Sequence, residues 1–119
     1  MTADAHSDSP GQASKEPLYI DSEDHLDTVV SENDVVLVDF YADWCGPCKM
    51  LEPVLDGLAA QTDATIAKVD VDRLQQLARS YGVRGVPTLV LFADGEQVEQ
   101  QTGALPAEQL RTLIENYTQ

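Results

Sequence analysis

The chain carries two cysteines, Cys45 and Cys48, separated by Gly46-Pro47 and flanked by Trp44 and Lys49. Two residues between cysteines bring the side chains within one helical turn. Such a pair can close and reopen as a disulfide with little backbone change. A strand-like run ends just before the motif, and a helical pattern begins with it. Cys45 therefore falls at a helix N-terminus, where unpaired N–H groups and the macrodipole favour a thiolate. Cys48 falls one turn inside and is expected to be the more buried. The asymmetry predicts a division of labour in which Cys45 attacks a disulfide and Cys48 resolves the mixed disulfide.

Other chemistries for the pair have less behind them. Tetrahedral zinc needs two further ligands. His6 lies near the N-terminus, His25 lies on a predicted helix, and neither stands at ligand spacing from another His or Cys. No metal site is expected. A purely structural disulfide closing so short a loop would restrain the unfolded chain little.

The elements that must position the motif follow from hydrophobic periodicity. Val35-Val36-Leu37-Val38 is an unbroken apolar run, the pattern of a strand buried on both faces of a parallel sheet. Asp39 interrupts it beside the cysteines. A buried carboxylate there would have a raised pKa and could move protons near neutral pH; a solvated aspartate at a strand end is the alternative. Met50, Leu51, Val54, Leu55 and Leu58 follow at helical spacing, with Pro53 expected to kink that helix.

Upstream, Leu18-Tyr19-Ile20 reads as a short edge strand and Asp21-Ser22 as the cap of a helix bearing Leu26, Val29 and Val30. Downstream, residues 64–71 read as a strand. Asp72 is expected to cap a helix carrying Leu74, Leu77, Ala78 and Tyr81, with Gly82 ending it. Thr88-Leu89-Val90-Leu91-Phe92 reads as a strand, Asp94-Gly95 as a hairpin turn, and residues 96–102 as a polar edge strand. Pro106 suits the first turn of a last helix with Leu110, Leu113, Ile114 and Tyr117 on one stripe. The order is βαβαβαββα. Strand–helix alternation implies parallel pairing and the hairpin an antiparallel end, so the fold class is α/β, a three-layer α/β/α sandwich with a mixed central sheet.

The segment Val38-Asp39-Phe40-Tyr41-Ala42-Asp43-Trp44-Cys45-Gly46-Pro47-Cys48-Lys49 resembles the active-site signature of thioredoxins almost residue for residue. The likeness continues in Lys68-Val69-Asp70-Val71-Asp72, in Tyr81-Gly82-Val83-Arg84-Gly85-Val86-Pro87-Thr88, in Phe92-Ala93-Asp94-Gly95 and in Gly103-Ala104-Leu105. Tyr41 departs from it, since many members carry Trp there, but an aromatic ring is kept.

The resemblance implies the thioredoxin fold and a protein-disulfide reductase passing electrons through a reversible Cys45–Cys48 disulfide. Gly46 and Pro47 between the cysteines are similar to the reductase type rather than to isomerases or periplasmic oxidases, which carry His in place of Pro47. By the same resemblance Asp39 relays a proton for Cys48, and Lys68 stands beside that carboxylate. Pro87 is the family's cis-proline facing the cysteines. The backbone of Val86 pairs with an extended client segment by strand addition. Trp44 rims the client groove, and Gly85 and Gly103 keep the docking surface flat.

Without the resemblance the same positions have plainer readings. Lys68 would be an edge-strand lysine, Pro87 a strand-start proline, Trp44 a core residue, and Gly85 and Gly103 loop and strand-end glycines. Implied partners are a thioredoxin reductase and disulfide-bonded client proteins, with no cofactor held by the chain and a monomeric state. A non-redox binding module of the same fold is the competing class, though it would have no need of both thiols.

Length and charge bound the rest. The 119 residues suit one domain, with residues 18–119 as the folded thioredoxin-like part. Residues 1–17 hold almost no bulky apolar side chain and read as a disordered acidic tail. Seven Lys and Arg stand against 21 Asp and Glu, a net charge of −14. Such a surface repels nucleic-acid phosphates and anionic lipid, so neither nucleic acid nor membrane is an expected partner. No positively charged start followed by an apolar stretch suggests secretion, and the expected compartment is the cytoplasm. The acidic excess points to a high-salt, halophilic cytoplasm, with an ordinary soluble acidic protein as the alternative.

Overall fold

The computed structural model describes residues 15–118, so the expectation of a disordered tail over residues 1–17 falls, up to residue 14, outside the described residues. The elements are β1 (Leu18–Tyr19), α1 (Glu23–Glu32), β2 (Val35–Tyr41), α2 (Gly46–Gln61), β3 (Thr65–Asp70), α3 (Gln75–Ser80), β4 (Thr88–Ala93), β5 (Glu96–Thr102) and α4 (Ala107–Glu115). The strands form one sheet in the order β1-β3-β2-β4-β5. β1 and β2 run parallel to β3, whereas β4 runs antiparallel to both β2 and β5. The mixed sheet expected from the element order is therefore present, with β2 at its centre.

The period-2 alternation of β2 divides its side chains between two cores. Val36, Val38 and Phe40 pack with Leu26, Val29 and Val30 of α1 and Leu77 and Ala78 of α3. Val35 and Leu37 pack with Leu51, Leu55 and Leu58 of α2 and with Leu110 and Ile114 of α4. Asp39 continues the second series, so its carboxyl points to the α2 side of the sheet. α2 runs unbroken through Pro53, where the ladder lacks one N–H. The β4–β5 turn places Asp94 at φ 53° and Gly95 at φ 84°, the pair of positive values that a two-residue hairpin demands.

One expectation fails. Asp72 does not cap α3, which begins at Gln75 with no side-chain cap. The chain instead turns on Asp70, whose carboxylate accepts the Asp72 N–H at 2.9 Å and whose carbonyl accepts the Leu74 N–H at 2.9 Å. Asp70, earlier in the turn, does locally what Asp72 was expected to do. The Asp72 carboxylate is thereby left free to bond elsewhere.

Candidate active site

The turn between β2 and α2 delivers the cysteines. Cys45 is the N-cap of α2, with extended backbone, and its N–H donates to the Ala42 carbonyl at 3.2 Å. The Cys48 N–H, inside the first turn, donates to Cys45 Sγ at 3.1 Å. An N–H aimed at that sulfur stabilises negative charge on it. Pro47 sits in the first turn, where a missing N–H removes no ladder bond. The two cysteines are joined as a disulfide, with Cα atoms 5.3 Å apart. Cys48 is the more buried by a small margin, 2% exposed against 4% for Cys45. Their asymmetry is one of position: Cys45 stands outside the helix and Cys48 within it.

Opposite Cys45 lies the segment before β4. Cys45 Sγ is 3.7 Å from the Val86 carbonyl oxygen, and the Val86–Pro87 peptide is cis. The Pro87 carbonyl accepts the Gly103 N–H at 2.7 Å. Gly103 has φ 98°, which favours glycine at this close approach. Gly85 accepts a 2.7 Å bond from the Thr88 hydroxyl. A Cβ at Gly85 would meet Thr102 Cγ2 at 3.8 Å, an ordinary contact, so lack of room does not require glycine there. Trp44 is exposed rather than in the core, and its indole N–H donates to Asp72 at 3.0 Å. Trp44, Val71, Arg79, Arg84, Gly85 and Val86 line an open cleft of about 360 Å³ beside the disulfide.

Beneath α2 lies a charged trio. Asp39 is fully buried, and among the described residues neither carboxyl oxygen has a hydrogen-bond partner. It pairs in register with Lys68 on β3 and with Leu89 on β4. Lys68, 3% exposed, is no edge-strand lysine, because β3 lies between β1 and β2. Its Nζ stands 3.9 Å from Asp39 Oδ2 and 3.7 Å from Glu52 Oε2, and Glu52 is half-exposed. The ammonium also lies 4.5 Å from the ring centre of Tyr41 and 5.6 Å from that of Tyr19, within cation–π range. Burial pushes Asp39 from 3.8 up to about 7; Lys68 pulls it down and Glu52 adds to the rise. Burial, with Asp70 next, pushes the Tyr41 phenol up to about 12.

Thus Trp44, Gly85 and Val86 share a cleft, the Val86 carbonyl faces Cys45 of the disulfide, Gly103 bonds to Pro87, and Asp39 with Lys68 lies below α2. Sequence reasoning missed Glu52, Tyr19 and the use of Asp72. Glu52 had a usable signal, since it stands four residues after Cys48 and shares its helix face. Tyr19 had none, because its contact depends on the β1–β3 register. Among the described residues no cluster of three or more His, Cys, Asp or Glu could hold a metal ion.

The family model described as Thioredoxin matches residues 16–116. The thioredoxin of Chlamydia trachomatis is 44% identical over 99 residues, which cover 82% of this chain and 95% of the relative. That of Haemophilus influenzae is 43% identical over 104 residues, covering 86% and 97%. Among solved structures, a mutant thioredoxin from Halobacterium salinarum NRC-1 aligns with a TM-score of 0.87 at 64% identity, covering 92% of this chain and 97% of that one. Schistosoma mansoni thioredoxin aligns with a TM-score of 0.80 at 31% identity, covering 89% and 99%.

Proposed function

The chain belongs to the thioredoxin family, and from that premise we propose how its residues divide the work of disulfide reduction. It is a thiol–disulfide oxidoreductase of the protein-disulfide reductase type, with Cys45–Cys48 as the redox pair. The Cys45 thiolate attacks one sulfur of a client disulfide, and the other client sulfur leaves as a thiolate. Asp39 takes the proton from Cys48. The Cys48 thiolate then bonds to Cys45, the Cys45–client bond breaks, and the client leaves as a dithiol once its sulfurs are protonated. Two electrons pass to the client, and Cys45–Cys48 is left oxidised. Lys68 steadies the carboxylate form of Asp39.

Val86, beside cis Pro87, offers backbone groups to an extended client segment. Trp44, Gly46, Pro47, Gly85 and Gly103 shape the rim it meets. A thioredoxin reductase returns the electrons, and the clients are disulfide-bonded proteins recognised by backbone and shape. The chain works as a monomer without a cofactor of its own, in the cytoplasm, with residues 1–17 outside the working domain. Among the described residues no helix is long and apolar enough to cross a membrane. The net charge of −14 supports a high-salt cytoplasm, as does the likeness to a Halobacterium protein.

The observation that carries these roles is the Cys48 N–H on Cys45 Sγ, opposite the Val86 carbonyl. Insulin reduction with dithiothreitol as donor tests the activity, and iodoacetamide at neutral pH tests the roles. Cys45 should be alkylated first in the reduced protein. Faster alkylation of Cys48 would overturn the assignment of attacker and resolver.

A further inference from the structure

Glu52 has no part in the roles assigned so far, yet it lies as close to the buried ammonium as Asp39 does. Lys68 Nζ is 3.7 Å from Glu52 and 3.9 Å from Asp39, and neither separation is a hydrogen bond. The ammonium is shared between two carboxylates, and the rings of Tyr41 and Tyr19 lie within reach of it. Among the described residues no donor hydrogen-bonds to Asp39. Its proton affinity therefore depends on burial and on neighbouring charge alone. β4 contributes Leu89 opposite it, which carries no charge. Tyr41 on β2 stays neutral until high pH. Tyr19 on β1 meets the cluster through Lys68. α2 contributes Cys48 and Glu52, and among the described residues Lys68 and Glu52 are the charges that act on Asp39.

We propose that Glu52 is a positioning residue for the resolving step: it holds the Lys68 ammonium off Asp39 and so sets how readily that carboxyl takes and returns the Cys48 proton. The inference rests on the assignment of Asp39 to Cys48 made above. In that step the Cys48 S–H proton moves to the Asp39 carboxylate. The new Cys45–Cys48 bond forms as the Cys45–client bond breaks, and the client sulfur leaves with the electron pair. Asp39 then returns its proton to solvent, on the side where Glu52 is half-exposed.

Removing the charge of Glu52 has two effects of one sign. The repulsion between the carboxylates disappears, and Lys68 is free to close on Asp39. Both favour the ionised form of Asp39. The test uses Glu52→Gln and Glu52→Asp in the full chain. The Asp39 carboxyl carbon is titrated by NMR in the oxidised protein, where no cysteine titrates with it. In parallel, Cys45 is loaded with thionitrobenzoate, and its release by Cys48 is followed by stopped flow against pH.

For Glu52→Gln both midpoints should fall by about one pH unit. Glu52→Asp keeps the charge and should recover most of the wild-type titration and profile. Unmoved Asp39 titration in Glu52→Gln would overturn the inference. Equal shifts in both variants would also overturn it, because packing rather than charge would then be the cause. A moved titration with an unmoved release profile would remove Glu52 from the resolving step. The carboxyl titration requires no turnover, so wild-type protein that failed to reduce insulin would strike the reductase roles and leave this measurement standing.

Discussion

The two faces of the central sheet are built from the same strands with the same alternation, and they end differently near the cysteines. On the α1/α3 face, Val36, Val38, Phe40, Ala67, Val69 and Val90 are apolar, with the buried hydroxyls of Thr65 and Thr88 among them. Phe40 and Phe92 there bracket the Tyr81 ring at 5.6 and 5.9 Å between centres. On the α2/α4 face, Val35, Leu37, Ile66, Leu89 and Leu91 begin in the same way, but the rows of β2 and β3 continue as Asp39 and Lys68. A carboxyl buried without a donor costs stability, and a buried ion pair is weak evidence of stabilisation. The first face buries apolar side chains and the hydroxyls of Thr65 and Thr88, but none of these strand residues is charged. The other carries a buried carboxyl and ammonium that packing alone would exclude.

The largest expected effect lies at the mouth of the second face. Cys45→Ser should abolish insulin reduction, since no nucleophile remains. Cys48→Ser should still attack and should accumulate mixed disulfides with clients, visible on non-reducing gels. Turnover surviving in Cys45→Ser would break the link between this face and the chemistry.

On the first face, Phe40→Ala should lower unfolding free energy by about 3–5 kcal/mol, because the ring is fully buried. The insulin rate per folded molecule should stay within about twofold, since none of the strand residues named on this face is charged. A urea midpoint that hardly moves, or a rate that collapses in folded protein, would contradict the division between the faces.

Asp39→Asn is the opposite case, in which stability and chemistry part company. Asp39 has a folded pKa of about 7 against an ordinary 3.8. Between those values the unfolded chain has released the proton and the folded chain retains it. Stability contributed at this site therefore falls as pH rises from about 4 to about 7, and is flat above. The full drop is on the order of 4 kcal/mol, and Asn, which does not titrate, lacks it. The stability of the variant minus that of the wild type should therefore climb over that window in urea titrations, while resolution of the mixed disulfide slows. A pH-independent difference would remove the buried titration, and unchanged stopped-flow resolution from about pH 6 to 9 would remove the relay.

What the sequence reveals and conceals follows the same boundary. Strands such as Val35–Tyr41 and helices such as Gly46–Gln61 are legible because period-2 and period-3.6 patterns are local. The cysteine motif is legible because its chemistry is written in adjacent residues. Local propensity misreads Asp72: Asp70 takes over the turn, and the Trp44 indole takes the carboxylate. The sharing of Lys68 by Asp39 and Glu52 is hidden, because it needs α2 laid over β3. The cis Val86–Pro87 peptide also lies beyond local rules, which favour trans; only the family resemblance points to it.

Salt should act on neither core face directly, and that makes it the finest probe of the comparison. The net charge is −14, and acidic groups such as Asp21, Glu23, Asp24 and Asp27 are exposed. A compact body so charged repels itself, and unfolding relieves the repulsion. The Debye length falls from about 10 Å at 0.1 M to about 3 Å at 1 M, so added salt quenches repulsion between exposed groups. The urea midpoint should rise between about 0.1 and 2 M KCl, by about 1–2 kcal/mol in unfolding free energy. Asp39 and Lys68 lie beneath α2, buried from solvent, where screening is far weaker. The pH window of the Asp39→Asn difference should therefore stay in place while the midpoint climbs. A flat or falling midpoint would reject the high-salt reading and leave the reductase assignment intact. A window that slid with salt would show that solvent ions reach Asp39, and the buried face would then be no more protected than the surface above it.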